Sequence, residues 1–173
     1  MGLEWRWLGL AVAAVGITGC MGGRLVRYPS DINGANPSSL NSGFAERSPH
    51  LAGSYLVFVS DRRGSQDIYL YNLRSRQSLP LPGLNSLDTI TSSPSVSDDG
   101  QWVAFAASRQ GRSRILIYNT RTRQISDITG NLPAEVRSPM ISADGRRITF
   151  EVNRSGQWDI ALFTRQGQPI NLP

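Results

Sequence analysis

The chain repeats itself. Ser48-Pro49, Ser93-Pro94 and Ser138-Pro139 follow one another at a spacing of 45 residues. Aligning the strand after each pair brings Phe58, Phe105 and Phe150 into register. Six residues after each Phe stands Gly64, Gly111 or Gly156, and ten after it stands Ile68, Ile115 or Ile160. Thirteen after it stands an aromatic: Tyr71, Tyr118 or Phe163. Arg62, Arg109 and Arg154 each precede their Gly by two. A period of this length restricts the fold to stacked supersecondary units. No single unit can bury its apolar face alone, so neighbours must cover one another. The repeats occupy 48–92, 93–137 and 138–173, which is 126 residues of the 173.

Each unit parses as four short antiparallel strands. The first is expected to start at Ser-Pro, because the missing N–H of Pro is tolerated at a strand's first residue. In the second and third units it ends at Asp99-Gly100 and Asp144-Gly145. Asp-Gly there is expected to supply the positive φ angles of a tight hairpin. The second strand is almost wholly apolar, as in Val103-Ala104-Phe105-Ala106. A continuous apolar run fits a strand covered on both faces. The third strands are Asp67–Tyr71, Arg114–Tyr118 and Asp159–Phe163, and the fourth lie near Ser78–Leu81, Ile125–Thr129 and Pro169–Leu172. No stretch beyond the first twenty residues has helical periodicity. The class is all-β, and four antiparallel strands per repeat of about 40 to 45 residues describes a propeller blade.

The pattern Ser-Pro-x-x-Ser-x-Asp-Gly, then Ile-x-Phe, then Arg-x-Gly-x-x-Asp-Ile resembles the repeat of the periplasmic TolB family. Related blades occur in the propellers of prolyl-oligopeptidase-type peptidases. The resemblance covers 48–173. The first unit departs from it, being two residues shorter and without Asp-Gly, and the second has Ser108 and Arg114 where the first has Asp61 and Asp67. The resemblance implies a non-catalytic interaction or scaffold module in the periplasm, with envelope proteins or a cell-wall component as partners. A ligand- or glycan-binding partial propeller, completed by a dimer or a partner chain, is the alternative. Propeller rings typically close with four to eight blades. Three blades therefore imply a homodimer completing a six-bladed ring, pairing with another partial propeller, or a monomeric open wedge whose ends are covered by the 21–47 segment.

The opening residues carry a separate message. An apolar run from Leu8 to Ile17 follows a short n-region, and it is too brief for a spanning helix of about 20 residues. It ends Ile17-Thr18-Gly19-Cys20, which resembles a bacterial lipobox. By that resemblance residues 1–19 are a removed signal and Cys20 is the lipidated first residue, anchoring the protein in the cell envelope. Two or more acyl chains anchor stably, at about 0.8 kcal/mol per buried methylene. Residues 20–47, rich in Gly, Ser, Asn and Pro, read as a flexible tether.

Composition excludes several chemistries. A single Cys rules out an intramolecular disulfide and any multi-Cys zinc site, and His50 is the only histidine. No Gly-x-Ser-x-Gly elbow, calcium loop or phosphate loop occurs, so neither catalysis nor a cofactor nor a metal is expected. His50 reads as a packing residue, and Asp61, Asp67 and Asp159 as hairpin carboxylates. The net charge of +5 comes from 18 Arg without a Lys, against 13 acidic residues. Nucleic-acid binding calls for clustered charge with stacking aromatics, whereas the aromatics here occupy strand positions. The recurring Arg62, Arg109 and Arg154 are instead the candidate interaction residues. They belong to the same end as the long connectors Pro80–Ser92 and Gly130–Arg137.

Overall fold

The computed structural model describes residues 40–85 and 88–171. The expected signal segment, Cys20 and most of the expected tether lie outside these residues. Eleven strands form three antiparallel sheets, and no helix occurs among the described residues. The first sheet runs β1 (Glu46–Ala52), β2 (Tyr55–Ser60), β3 (Asp67–Asn72) and β4 (Gln77–Leu79). The second runs β5 (Ile90–Val96), β6 (Trp102–Arg109), β7 (Arg112–Asn119) and β8 (Ile125–Asp127). The third holds β9 (Val136–Ile141), β10 (Arg147–Arg154) and β11 (Gln157–Thr164). Each sheet is a meander of sequential neighbours, so each repeat is one blade.

The expected fourth strand at Pro169–Leu172 is corrected. Only an isolated bridge joins Phe163 to Pro169, with the Ile170 amide donating to the Leu162 carbonyl at 2.8 Å. Pro169 has no N–H to extend a ladder.

Ser-Pro does not begin the first strand either. The strands start at Glu46, Ile90 and Val136, and Ser48-Pro49, Ser93-Pro94 and Ser138-Pro139 sit at breaks in register inside them. Ser48, Ser93 and Ser138 have φ of 50°, 47° and 53°. Each pair is thus a β-bulge, with a left-handed Ser followed by a Pro that no ladder bond requires. Asp-Gly is also used differently. Gly100 and Gly145 take positive φ (68° and 67°), while Asp99 and Asp144 do not. The two-residue turns with both φ positive are Gln110-Gly111 and Ser155-Gly156, at the tips joining second to third strands.

The apolar run of β6 explains the stacking. Val103, Phe105 and Ala107 point into one core cluster with Val57, Val59, Ile68 and Leu70 of the first blade. Ala104 and Ala106, on alternate positions, enter a second cluster with Ile148, Phe150 and Val152 of the third. Period-two alternation sends successive side chains to opposite faces, and the middle blade is buried on both.

Candidate interaction surface

The tips of the hairpins between second and third strands lie at one end of the blades, and the connectors pack beside them. The Asn85 side chain from the first connector accepts from the Ile68 amide at 2.9 Å and donates to its carbonyl at 3.0 Å. Residues Thr129–Glu135 of the second connector line a recess of about 520 Å³ together with Gly111–Arg114. The strand direction read from the sequence therefore puts tips and connectors on a common rim.

The three candidate arginines differ in role. Arg109 and Arg154 are exposed, at 65% and 67% of the side chain, and carry ion pairs to Asp88 (2.6 Å) and Asp159 (3.8 Å). Arg62 folds inward and is 10% exposed. Its guanidinium donates to Glu46 Oε1 at 2.8 Å, the Leu40 carbonyl at 3.1 Å and Ser60 Oγ at 3.2 Å, and lies 4.7 Å from the Tyr69 ring centre. The structure brings Arg109 and Arg154 to the rim as solvent-facing groups and uses Arg62 to hold the segment entering β1. Two further rim arginines, Arg63 (72% exposed) and Arg112, were missed. Their signal was adjacency to the hairpin glycines Gly64 and Gly111.

The hairpin carboxylates are engaged locally. Asp61 accepts from the Ala45 amide at 3.0 Å, buried Asp67 from the Ser65 hydroxyl at 2.8 Å, and Asp159 from Gln157 at 3.1 Å. At the Asp-Gly turns, burial pushes the Asp99 carboxyl up, but the Ser97 hydroxyl and the Gln101 amide outweigh it and hold it below the usual carboxylate range. The Ser142 hydroxyl, with the Arg146 amide, lowers Asp144 in the same way. Among the described residues no group of three or more His, Cys, Asp or Glu is placed to hold a metal ion.

His50 is a link between blades. Its Nδ1 accepts from the Val96 amide of the second blade at 3.2 Å, as Ser95 Oγ accepts from Ile141 of the third at 3.0 Å. Burial lowers the imidazole from its ordinary 6.5, opposed by the charge of Asp98. The proton is bound more tightly in the unfolded chain, so stability is fully present above pH 6.5 and declines as pH falls toward the lower folded value. Urea midpoints between pH 7.5 and 5 are expected to fall in the wild type. In His50→Ala this component should vanish, at a constant loss of about 1–3 kcal/mol from the unpaired Val96 amide. A pH profile unchanged by the substitution would show that His50 is not the titrating link.

A second recess, of about 390 Å³, is lined by all three Ser-Pro bulges, His50 and Met140. Left-handed non-glycine backbone costs roughly 1–3 kcal/mol per residue and persists only where surroundings enforce it. Here three such serines face one recess, which repeat spacing could foretell but strand assignment could not.

Among solved structures, the chain is similar to TolB from Acinetobacter baumannii, at 24% identity and a TM-score of 0.60 over 75% of this chain and 32% of that one. It is also similar to the β-propeller domain of the trilobed protease from Pyrococcus furiosus, at 17% identity and a TM-score of 0.55, over 74% of this chain and 42% of that one. A puromycin-hydrolysing peptidase of Mycobacterium tuberculosis matches at 14% identity and a TM-score of 0.54, over 73% of this chain and 20% of the peptidase. These likenesses are of fold, and the chain spans less than half the length of each. Among curated proteins there is no match. The family model described as the TolB beta propeller domain matches residues 28–171. Three meander blades carrying the repeat, and a match across nearly the whole chain, make it a member of the TolB β-propeller domain family.

Proposed function

We propose that the chain is a non-catalytic protein-interaction module, held at the bacterial cell envelope by a lipidated Cys20. The observation that carries this reading is the rim. Rigid two-residue hairpins present Arg109 and Arg154 to solvent beside long connectors, on a fold belonging to the TolB propeller family. Binding groups on loops held by a rigid scaffold are the usual division of labour, and exposed guanidinium groups favour carboxylate partners through paired N–H donors. An acidic protein surface in the envelope is the partner chemistry that fits. The peptidase neighbours lend no catalytic role, since function resides in sites and this chain matches one of them over only 20% of its length.

Two measurements test the proposal. Cys20→Ser should move the protein from the membrane to the soluble fraction, and a protein still membrane-bound would refute lipid anchoring. Arg109→Glu combined with Arg154→Glu should abolish crosslinking to envelope proteins while shifting the thermal midpoint little, because exposed ion pairs contribute about 0–1 kcal/mol. Crosslinking that survives the double substitution would remove the rim from consideration.

A further inference from the structure

Both internal junctions of the stack use one set of devices. An aromatic opening the second strand covers the hairpin glycine of the next blade: Tyr55 lies over Gly100 and Trp102 over Gly145. A side chain after Ser-Pro accepts an amide of the next blade, His50 from Val96 and Ser95 from Ile141. Small apolar residues fill the facing strand, Val57 and Val59 in the first blade and Ala104 and Ala106 in the second. At the same repeat positions the third blade carries Arg147, Met140, Thr149 and Glu151. Aromatic, acceptor and apolar pair are all replaced. Arg137 closes that face by donating to Glu151 at 2.7 Å while lying 3.8 Å from the Trp158 ring centre. Ile160 is left 60% exposed where Ile68 and Ile115 are buried.

The opposite end is finished by the chain itself. Phe105 and Phe150 are each 1% exposed because a preceding blade covers them. Phe58 has no preceding blade among the described residues, yet it is only 5% exposed. Its cover is the Tyr69 ring stacked at 5.6 Å, Arg62 at 5.6 Å from the Phe58 ring centre, and the entering segment, of which Leu40, Asn41 and Glu46 line a recess with Leu56 and Phe58. The Ala45–Asp61 bond and the Arg62 contacts to Leu40 and Glu46 pin this segment. Arg109 and Arg154, at the same repeat position, make no such turn inward; both are about two-thirds exposed.

We propose that residues 40–46 are a strap, clasped by Arg62, that stands in for a preceding blade, and that Arg147, Thr149 and Glu151 end the series at the other face. Neither outer face then docks a further blade of this repeat, so two copies do not close a six-bladed ring. Repeat arrays need terminal units with polar outer faces for the same reason: an end face shaped like an internal one would keep recruiting neighbours. The inference rests on the junctions and is independent of the functional reading above.

Two experiments on the full chain in detergent micelles test the two halves. In hydrogen exchange, Arg62→Ala should speed exchange of the Ala45 amide at least about tenfold while leaving the β6 and β10 amides unchanged. Arg62→Lys should recover only part of the protection, because an ammonium lacks the guanidinium fork. Unchanged exchange at Ala45 in Arg62→Ala overturns the clasp. In sedimentation, the wild type should be monomeric across the micromolar range, and Arg147→Trp, Thr149→Val and Glu151→Val combined with Arg62→Ala, which releases the strap from the complementary face, should self-associate. A wild-type dimer that Ile160→Glu dissociates overturns the end-face assignment, and so does a combined variant that folds and stays monomeric.

Discussion

Replacing Phe105 with Ala is expected to destabilise the chain by about 3–5 kcal/mol, the range for deleting a large buried aromatic. Phe105 is 1% exposed and sits on the central strand of the middle blade, facing Val57, Val59, Ile68 and Leu70 across the first junction. Its loss empties the core that joins two sheets, and the middle sheet cannot move inward without disturbing the second junction on its other side. Phe58→Ala should cost less, because the cover there is a seven-residue strap and one guanidinium, which can settle into the gap. Urea unfolding of both variants distinguishes these cases. A Phe105→Ala loss below about 1 kcal/mol would mean that the blades slide together freely, and equal losses would mean that the strap packs like a blade.

The second large effect concerns Gly145. Its φ is 67°, and a Cβ there would fall 2.6 Å from Cδ1 of Trp102 on the preceding blade. Gly145→Ala therefore combines left-handed strain of about 1 kcal/mol with overpacking of about 1–3 kcal/mol. Trp102 has little room to yield, since Arg165 lies 3.8 Å over its ring and donates to the Gly145 carbonyl at 3.0 Å. Gly156→Ala is the control: φ is 92°, but nothing lies within 4 Å of the added carbon. Only the backbone part of the cost should appear there. If the two substitutions prove equally destabilising in thermal melts, Trp102 does not pack on the turn as described. Adding Trp102→Ala to Gly145→Ala should then recover nothing, whereas contact predicts that the double variant loses less than the sum of the singles.

Much of this architecture was legible in the residues. The register of Phe58, Phe105 and Phe150 placed the second strands, and their unbroken apolar character foretold burial on two faces. That held fully for β6, where Val103, Phe105 and Ala107 enter one core and Ala104 and Ala106 the other. Ser-Pro was misplaced because its chemistry fits both a strand start and a bulge: each leaves the Pro nitrogen without a ladder partner. Only the register on either side decides between them. Asp-Gly suffered a similar ambiguity, since the dipeptide serves both a two-residue turn and a longer one in which Gly alone is left-handed.

The rim shows where local reading stops. Arg62, Arg109 and Arg154 are equivalent by repeat position, so sequence spacing treats them alike. In the folded chain Arg62 is a clasp while Arg109 and Arg154 face solvent. The difference arises from what stands opposite each one. Arg62 has Glu46 and the Leu40 carbonyl within reach; the other two meet the exposed Asp88 and the half-buried Asp159.

By itself the sequence determined the class, the number of repeats and the strands that carry each blade's apolar side chains, because side-chain alternation and turn chemistry are local and recur with the period. It also carried the likeness to TolB blades that the family match shows. The tertiary structure alone decided which repeat positions are internal and which are ends. A Phe, an Arg or an Ile at one fixed position is core, clasp or surface according to whether another blade lies against it, and burial depends on neighbours that are far away along the chain.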